Sequence, residues 1–353
     1  MSTPKLDQLL ACAVDSEASD LHLVVGVPPA YRVNGEIILA DTDALTGQDT
    51  SEMIDGILNQ HQRRKFDEDW ELCVSIRHPE AGRIRATFYR HNGLPEMSLR
   101  FCGERIPSRE FLGLPERVDE LARRPNGLIL ITGATGAGKT TTLNYMLDLI
   151  NTERRCKIVT IEDPVEFVHG NKKAIVVQQE VLTDVRSFNR AFLHVLRQDP
   201  DVIVVGEIRD HEAVATALTA AETGHLVLAT LHSPSVAQSL ERIIGVFEGS
   251  MQKQIILQLA NSLQGIIAQD LLPAVDRNRR VLAYELLLAN GAVRNLIRES
   301  QLHQLENVIQ MSRKEGMVLM DNCLHDLYLK CLITYDVATS RAKHPENFSR
   351  GRA

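Results

Sequence analysis

The run Leu128-Ile129-Leu130-Ile131-Thr132-Gly133-Ala134-Thr135-Gly136-Ala137-Gly138-Lys139-Thr140-Thr141 settles how the rest of the chain is read. Its first residues are almost wholly apolar, the pattern of a strand buried in a parallel sheet. Residues 133–140 then match G-x-x-x-x-G-K-S/T, and a helical pattern continues to Ile150. Strand, glycine-rich loop and helix in that order form a phosphate cradle. The glycines let the backbone turn so tightly that several N–H groups face one anion. The helix start adds partial positive charge at the same place. Gly133, Ala134, Thr135, Gly136, Ala137, Gly138, Lys139, Thr140 and Thr141 are therefore the candidate nucleotide-binding residues. Lys139 is expected to reach the β- and γ-phosphates, and the Thr140 hydroxyl to hold Mg2+. Asn171-Lys172-Lys173-Ala174 lacks the acid of the guanine-reading N-K-x-D motif, which argues against a GTPase.

Other elements point at the same site. The strand ending Val202-Ile203-Val204-Val205-Gly206-Glu207 delivers an acid to its mouth. Phosphate-loop proteins commonly end this strand in Asp-Glu. Here Gly206 takes the aspartate's place and Glu207 remains, the candidate general base for an attacking water. Mg2+ must then lean on Thr140, the nucleotide, waters and other acids, which its chemistry tolerates. Ile161-Glu162-Asp163-Pro164-Val165-Glu166-Phe167 puts three carboxylates within five residues after another core strand. Glu162 and Glu166 are candidates for water activation, and Glu162 joins Thr140 for the metal; spacing alone does not decide between the two acids. His225 and His232 bracket an apolar strand about 20 Å long, so both cannot touch one phosphate. His232 is at the C-terminal end, where open α/β sheets bind ligands, and is the candidate γ-phosphate sensor. His225 reads as structural or as a subunit contact.

Further apolar runs at 158–161, 175–177, 202–205 and 226–230, with helical segments at 189–198 and 212–222, predict a parallel α/β sheet. After Pro273 the pattern turns mostly helical to about residue 343, and 349–353 reads as a frayed tail. Upstream, a helical stripe at 6–14 precedes a strand at 21–25 and a turn at 26–29. Asn34-Gly35 marks a hairpin, one helix is expected over 50–66, and strands over 70–76, 83–90 and 97–102. The reading gives an α+β module at 1–103, a linker at 104–125 with Pro107 and Pro115, a core at 126–273 and a helical C-terminal region at 274–353.

Composition narrows the function. With 353 residues, 44% hydrophobic and 24% charged, the chain has room for two folded domains. A net charge of -7 argues against nucleic acid as the main ligand. No run of 18 apolar residues is present, and Asp7 stands where a signal peptide would turn apolar, so a cytoplasmic protein without membrane insertion is expected. The 6 cysteines form no C-x2-C pair and read as reduced core thiols rather than zinc ligands.

These elements, in this order, resemble the secretion-type ATPases of the GspE/PilT family, which drive type IV pili and type II secretion. The similarity runs over nearly the whole chain. It implies a RecA-like core behind a PAS-like N-terminal domain, whose start Ala18-Ser19-Asp20-Leu21-His22-Leu23 resembles. Gly291-Ala292-Val293-Arg294-Asn295-Leu296-Ile297-Arg298-Glu299 is similar to the signature of the retraction branch, with Val293 where isoleucine is usual. Gly316 to Asp321 also resembles that branch. The missing four-cysteine zinc module and the start directly on the PAS-like domain favour retraction over extension or secretion.

The resemblance implies that arginines of the N-terminal domain close on the nucleotide. Arg85 and Arg100 are the choices, Arg83 lying on the same strand face as Arg85. It also implies a homohexamer at the cytoplasmic face of the inner membrane that acts on a platform protein (PilC-like), with a possible second retraction ATPase as partner. The segment 294–299 would couple ring to cargo, or serve as a plain packing helix. An accessory retraction ATPase, an extension or type II secretion ATPase and, from another class, a RecA-like nucleic-acid translocase are the rival readings.

Overall fold

The computed structural model describes residues 4–33, 35–103, 106–208, 210–276 and 279–348. The chain divides into two compact units. The first comprises Met1–Arg105 with two excursions of later chain, Asp163–Val168 and Glu180–Asp184; the remainder forms the second.

In the first unit, α1 (Pro4–Asp15), β1 (Asp20–Leu23), β2 (Ala30–Val33) and β3 (Glu36–Leu39) come first. Then follow α2 (Gly47–Ile57), α3 (Gln60–Asp69), β4 (Glu71–His78), β5 (Gly82–His91) and β6 (Leu94–Phe101). The strands make one antiparallel sheet in the order β3-β2-β1-β6-β5-β4. Strand β5 shows the alternation that one buried face imposes: Ile84, Ala86 and Phe88 are buried, and Arg83, Arg85 and Thr87 are not. Leu6, Leu10, Met53, Ile54 and Phe66 from the helices share a core with that buried face.

Two expectations change here. The single helix read over 50–66 is two helices. Leu58 caps the end of the first and Asn59 opens the second, its side chain accepting from the His61 and Gln62 amides while the Gln62 side chain accepts from the Asn59 amide. That reciprocal box defines a new helix start more strongly than the continuous apolar stripe extends the old one. The hairpin pairs Val33 with Glu36; Asn34, and the tail 349–353 read as frayed, lie outside the described residues.

The second unit opens with α4 (Arg109–Leu112), α5 (Arg117–Ala122), β7 (Gly127–Thr132), α6 (Lys139–Glu153), β8 (Lys157–Glu162) and β9 (Ile175–Glu180). It continues through α7 (Phe188–Val195), β10 (Val202–Val205), α8 (His211–Glu222), β11 (Leu226–Leu231), α9 (Val236–Gly245) and α10 (Gly249–Ser262). A hairpin, β12 (Leu263–Pro273) and β13 (Arg280–Leu288), leads to α11 (Gly291–Arg298), α12 (Leu305–Met311), α13 (Met320–Leu329) and α14 (Tyr335–Arg341). The seven-stranded sheet runs β13-β12-β7-β11-β10-β8-β9. Strands β12, β7, β11, β10 and β8 are parallel neighbours, and β13 is antiparallel to β12. Strands β7, β10 and β11 are buried at every residue, as their nearly unbroken apolar runs require.

The hairpin corrects the helical reading after Pro273. Pro273 pairs with Arg280 and Gly265 with Leu288, so residue 273 is inside the sheet's last pairing rather than at a boundary. The cysteines need correction as well. All six are free thiols, but only Cys323 is buried, while Cys12 and Cys331 are exposed. Among the described residues no helix is long and apolar enough to cross a membrane.

Candidate functional site

Register assembles the site. Thr132 at the end of β7 lies beside Leu231 of β11 and Ala268 of β12. Val205 of β10 lies between Ala229 of β11 and Ile161 of β8. The next residues along each strand, Gly133, His232, Gln269, Gly206 and Glu162, therefore emerge along one edge, the carboxyl edge of a parallel sheet. The loop from Gly133 ends at Gly138, whose φ of 84° serves as the N-cap of α6. No side chain caps that helix, so its first amides remain available to an anion.

Lys139 is buried, and its Nζ donates to the carbonyls of Gly133 (2.9 Å) and Ala134 (2.8 Å). It also faces Nδ1 of His232 at 3.4 Å. An ammonium can only donate, so Nδ1 is the acceptor and the ring proton sits on Nε2. Nε2 in turn faces Oε1 of Glu207 at 3.3 Å. His232 thus links the lysine of the loop to the acid of β10. Burial lowers the Lys139 pKa, and the Glu207 charge opposes that shift.

Buried hydroxyls hold the three strand ends together. Thr132 Oγ1 donates to the Ser233 carbonyl (2.6 Å) and accepts from the Ser233 amide and from Ser239 Oγ, both at 3.1 Å. Thr230 Oγ1 donates to the Gly206 carbonyl. Glu162 is buried, and its Oε1 accepts from Thr160 Oγ1 (2.6 Å) and Gln178 Nε2 (3.0 Å). Sequence reasoning passed over Thr132, Thr160, Thr230, Gln178 and Gln269. The available signal was a polar residue closing or interrupting an apolar strand. The oxygen donors Thr140 and Glu162 suit Mg2+. Among the described residues no cluster of three or more His, Cys, Asp or Glu could hold a metal by itself.

Lys139, His232, Glu207 and Glu162 belong to the second unit, whereas Glu166, Arg85 and Arg100 belong to the first. Arg85 Nη1 bonds Glu166 Oε1 at 3.1 Å, and its Nε lies 3.4 Å from Cys73 Sγ. Arg83 is committed to the Val165 carbonyl (2.7 Å) and to Glu180 (2.9 Å). Buried Glu180, absent from the sequence reading, also accepts from the Val165 amide (3.0 Å) and from Thr183 (2.9 Å). Arg100 pairs with Asp20 at 2.8 Å. Burial works against the Asp20 charge, but the Arg100 and Ser19 bonds outweigh it and hold the carboxyl below its usual range. His225 faces the Ala220 carbonyl at 3.0 Å near the end of α8. Arg294 is likewise turned inward, donating to the carbonyls of Ala260, Asn261, Leu263 and Ala289.

The chain is 40% identical over 343 residues to the type IV pilus retraction ATPase PilT of Pseudomonas aeruginosa, covering 97% of this chain and 99% of that one. It is 38% identical over 338 residues to the type IV pilus ATPase PilU of the same organism, covering 96% and 88%. A crystal structure of the pilus retraction motor PilT with bound ADP superposes with a TM-score of 0.89 at 43% identity, over 97% of this chain and 98% of that one. The model of the type II/IV secretion system protein family matches residues 3–338, and the chain belongs to that family.

Proposed function

We propose that this chain is an ATPase that powers retraction of type IV pili. The observation that carries the reading is the Lys139–His232–Glu207 chain of contacts at the carboxyl edge of the sheet, in a protein alike over nearly its full length to a retraction ATPase. The amides of 133–141 bind the phosphates, and Lys139 exchanges its two backbone carbonyls for phosphate oxygens. Glu207 takes a proton from the attacking water, while His232 holds Glu207 in register with the γ-phosphate. Thr140 and Glu162 would hold Mg2+, which supplies positive charge to the phosphate oxygens. Arg85 and Arg100 leave Glu166 and Asp20 to meet the charge that builds on the γ-phosphoryl. The working form is a homohexamer at the cytoplasmic face of the inner membrane, turning a platform protein so that pilin leaves the fibre base.

Deleting the gene tests this reading. Excess surface fibres with lost twitching are expected. Loss of fibres would instead identify an extension motor. The likeness to PilU supports a second reading, an accessory retraction ATPase. In that case the single deletion retracts normally and only removal of a second retraction ATPase exposes the defect.

A further inference from the structure

We infer that Gln269 is a positioning residue for the nucleotide, holding the phosphate loop from behind in the shape that aims its amides. The inference rests on the reading that 133–141 grip the phosphates. Gln269 is one residue past Ala268, the partner of Thr132 in the β12–β7 register, and is 3% exposed. Its Nε2 donates to the Ala137 carbonyl at 2.7 Å. The opposite amide orientation would set two oxygens against each other, so the assignment is forced. In a trans peptide the carbonyl and the following N–H point in opposite directions. Pinning the Ala137 carbonyl to β12 therefore turns the Gly138 N–H away from the sheet strand, to the side where an anion is gripped.

The loop backbone also rests on this residue. A Cβ at Gly133 would lie 2.3 Å from the Gln269 carbonyl oxygen, and one at Gly138 would lie 3.3 Å from Nε2. Both glycines have positive φ, 147° and 84°, so conformation disfavours a side chain at each, and at Gly133 contact excludes one outright.

Stability alone does not explain a glutamine here. Its Oε1 is buried and has no hydrogen-bond partner among the described residues. Such an orphan is destabilising, and an apolar side chain of similar length would avoid it. The retained amide is explained by what its N–H does to the loop.

The two roles separate in Gln269→Met, which fills the same space and removes both polar groups. Affinity for fluorescent ADP is expected to fall about tenfold, the scale of one lost hydrogen bond to a ligand-aiming group. The thermal midpoint of the protein without nucleotide is expected to stay level or rise. ADP affinity within twofold of wild type overturns the inference, as does a loss of affinity in step with a lowered midpoint. Should the methionine variant fail to fold, Gln269→Asn decides, since it keeps the amide but falls one methylene short of Ala137. Weaker ADP binding at a wild-type midpoint supports the inference; wild-type binding, or weakening in step with the midpoint, overturns it. Lys139→Ala measured alongside separates the failures. If that variant binds and turns over nucleotide normally, the phosphate-loop reading falls, and this inference with it.

Discussion

Lys139 satisfies its ammonium on two carbonyls and an imidazole, a set that a phosphate can replace without leaving buried charge behind. Lys139→Ala is therefore expected to abolish ATP turnover while the fold survives, as measured by circular dichroism beside phosphate release. Glu207→Gln should keep ADP affinity but slow hydrolysis by at least about a hundredfold, the usual contribution of a general base. Fast hydrolysis in that variant would move the base to Glu162 or Glu166. A third residue reports on the loop through pH. Asn144 Nδ2 donates to the Thr140 carbonyl (2.9 Å), so its Oδ1 must accept from His169 Nε2 at 2.7 Å. Burial pushes the His169 imidazole from 6.5 down to about 4. Between those values the unfolded chain binds a proton that the folded chain refuses, so stability rises with pH. The contribution is complete above pH 6.5 and is lost as pH falls towards 4, on the order of 3 kcal/mol in all. His169→Gln keeps the N–H for Asn144 and removes the titration. Thermal midpoints between pH 7.5 and 5 should fall less steeply for it than for wild type.

The elements show where sequence reading succeeds and where it stops. Strands β7, β10 and β11 were legible because burial on both faces leaves almost nothing but apolar residues, Thr132 and Thr230 excepted. The loop at 133–138 was legible as a tight strand-to-helix turn because its backbone conformation, with positive φ at Gly133, Gly136 and Gly138, calls for glycines. Strand β13 was not. Val281-Leu282-Ala283-Tyr284-Glu285-Leu286-Leu287-Leu288 is rich in helix formers, and only pairing along the whole of β12 overrides that preference. Gln269 escaped for the same reason, since its partner is 132 residues away. The segment 294–299 read as a coupling element or a plain packing helix, and sequence could not place nearby the carbonyls on which the Arg294 donors are spent. The break at Asn59 was written in the chain, as Asn59 and Gln62 at capping-box spacing, but the apolar stripe through Met53, Ile54, Ile57 and Leu58 concealed it. Asn59→Ala should cost about 1 kcal/mol, read as a lower denaturation midpoint, with ADP binding unchanged because the box lies in the first unit.

At the scale of the whole molecule, the three arginines singled out in the first unit each have an acidic partner: Arg83 with Glu180, Arg85 with Glu166 and Arg100 with Asp20. The Arg85 and Arg100 pairs are partly solvent-exposed, and exposed pairs are typically worth no more than about 1 kcal/mol. A γ-phosphate offers more charge than either carboxylate, so an exchange of partners is energetically open once a conformational change supplies the phosphate. If assembly into a ring drives that change, a lone chain has a cradle and a base but no arginines to complete the pocket. Turnover per chain should then rise with protein concentration to a plateau, while ADP affinity, which on the proposed reading draws on groups of the second unit alone, stays flat. Both can be followed across a roughly hundredfold dilution, wide enough to shift an association equilibrium, with sedimentation reporting the assembled fraction. Arg85→Ala and Arg100→Ala should each remove the plateau without removing assembly. Full turnover in chains that sediment as monomers would contradict the ring, and an unchanged plateau in both variants would return the arginines to their acids as plain surface pairs.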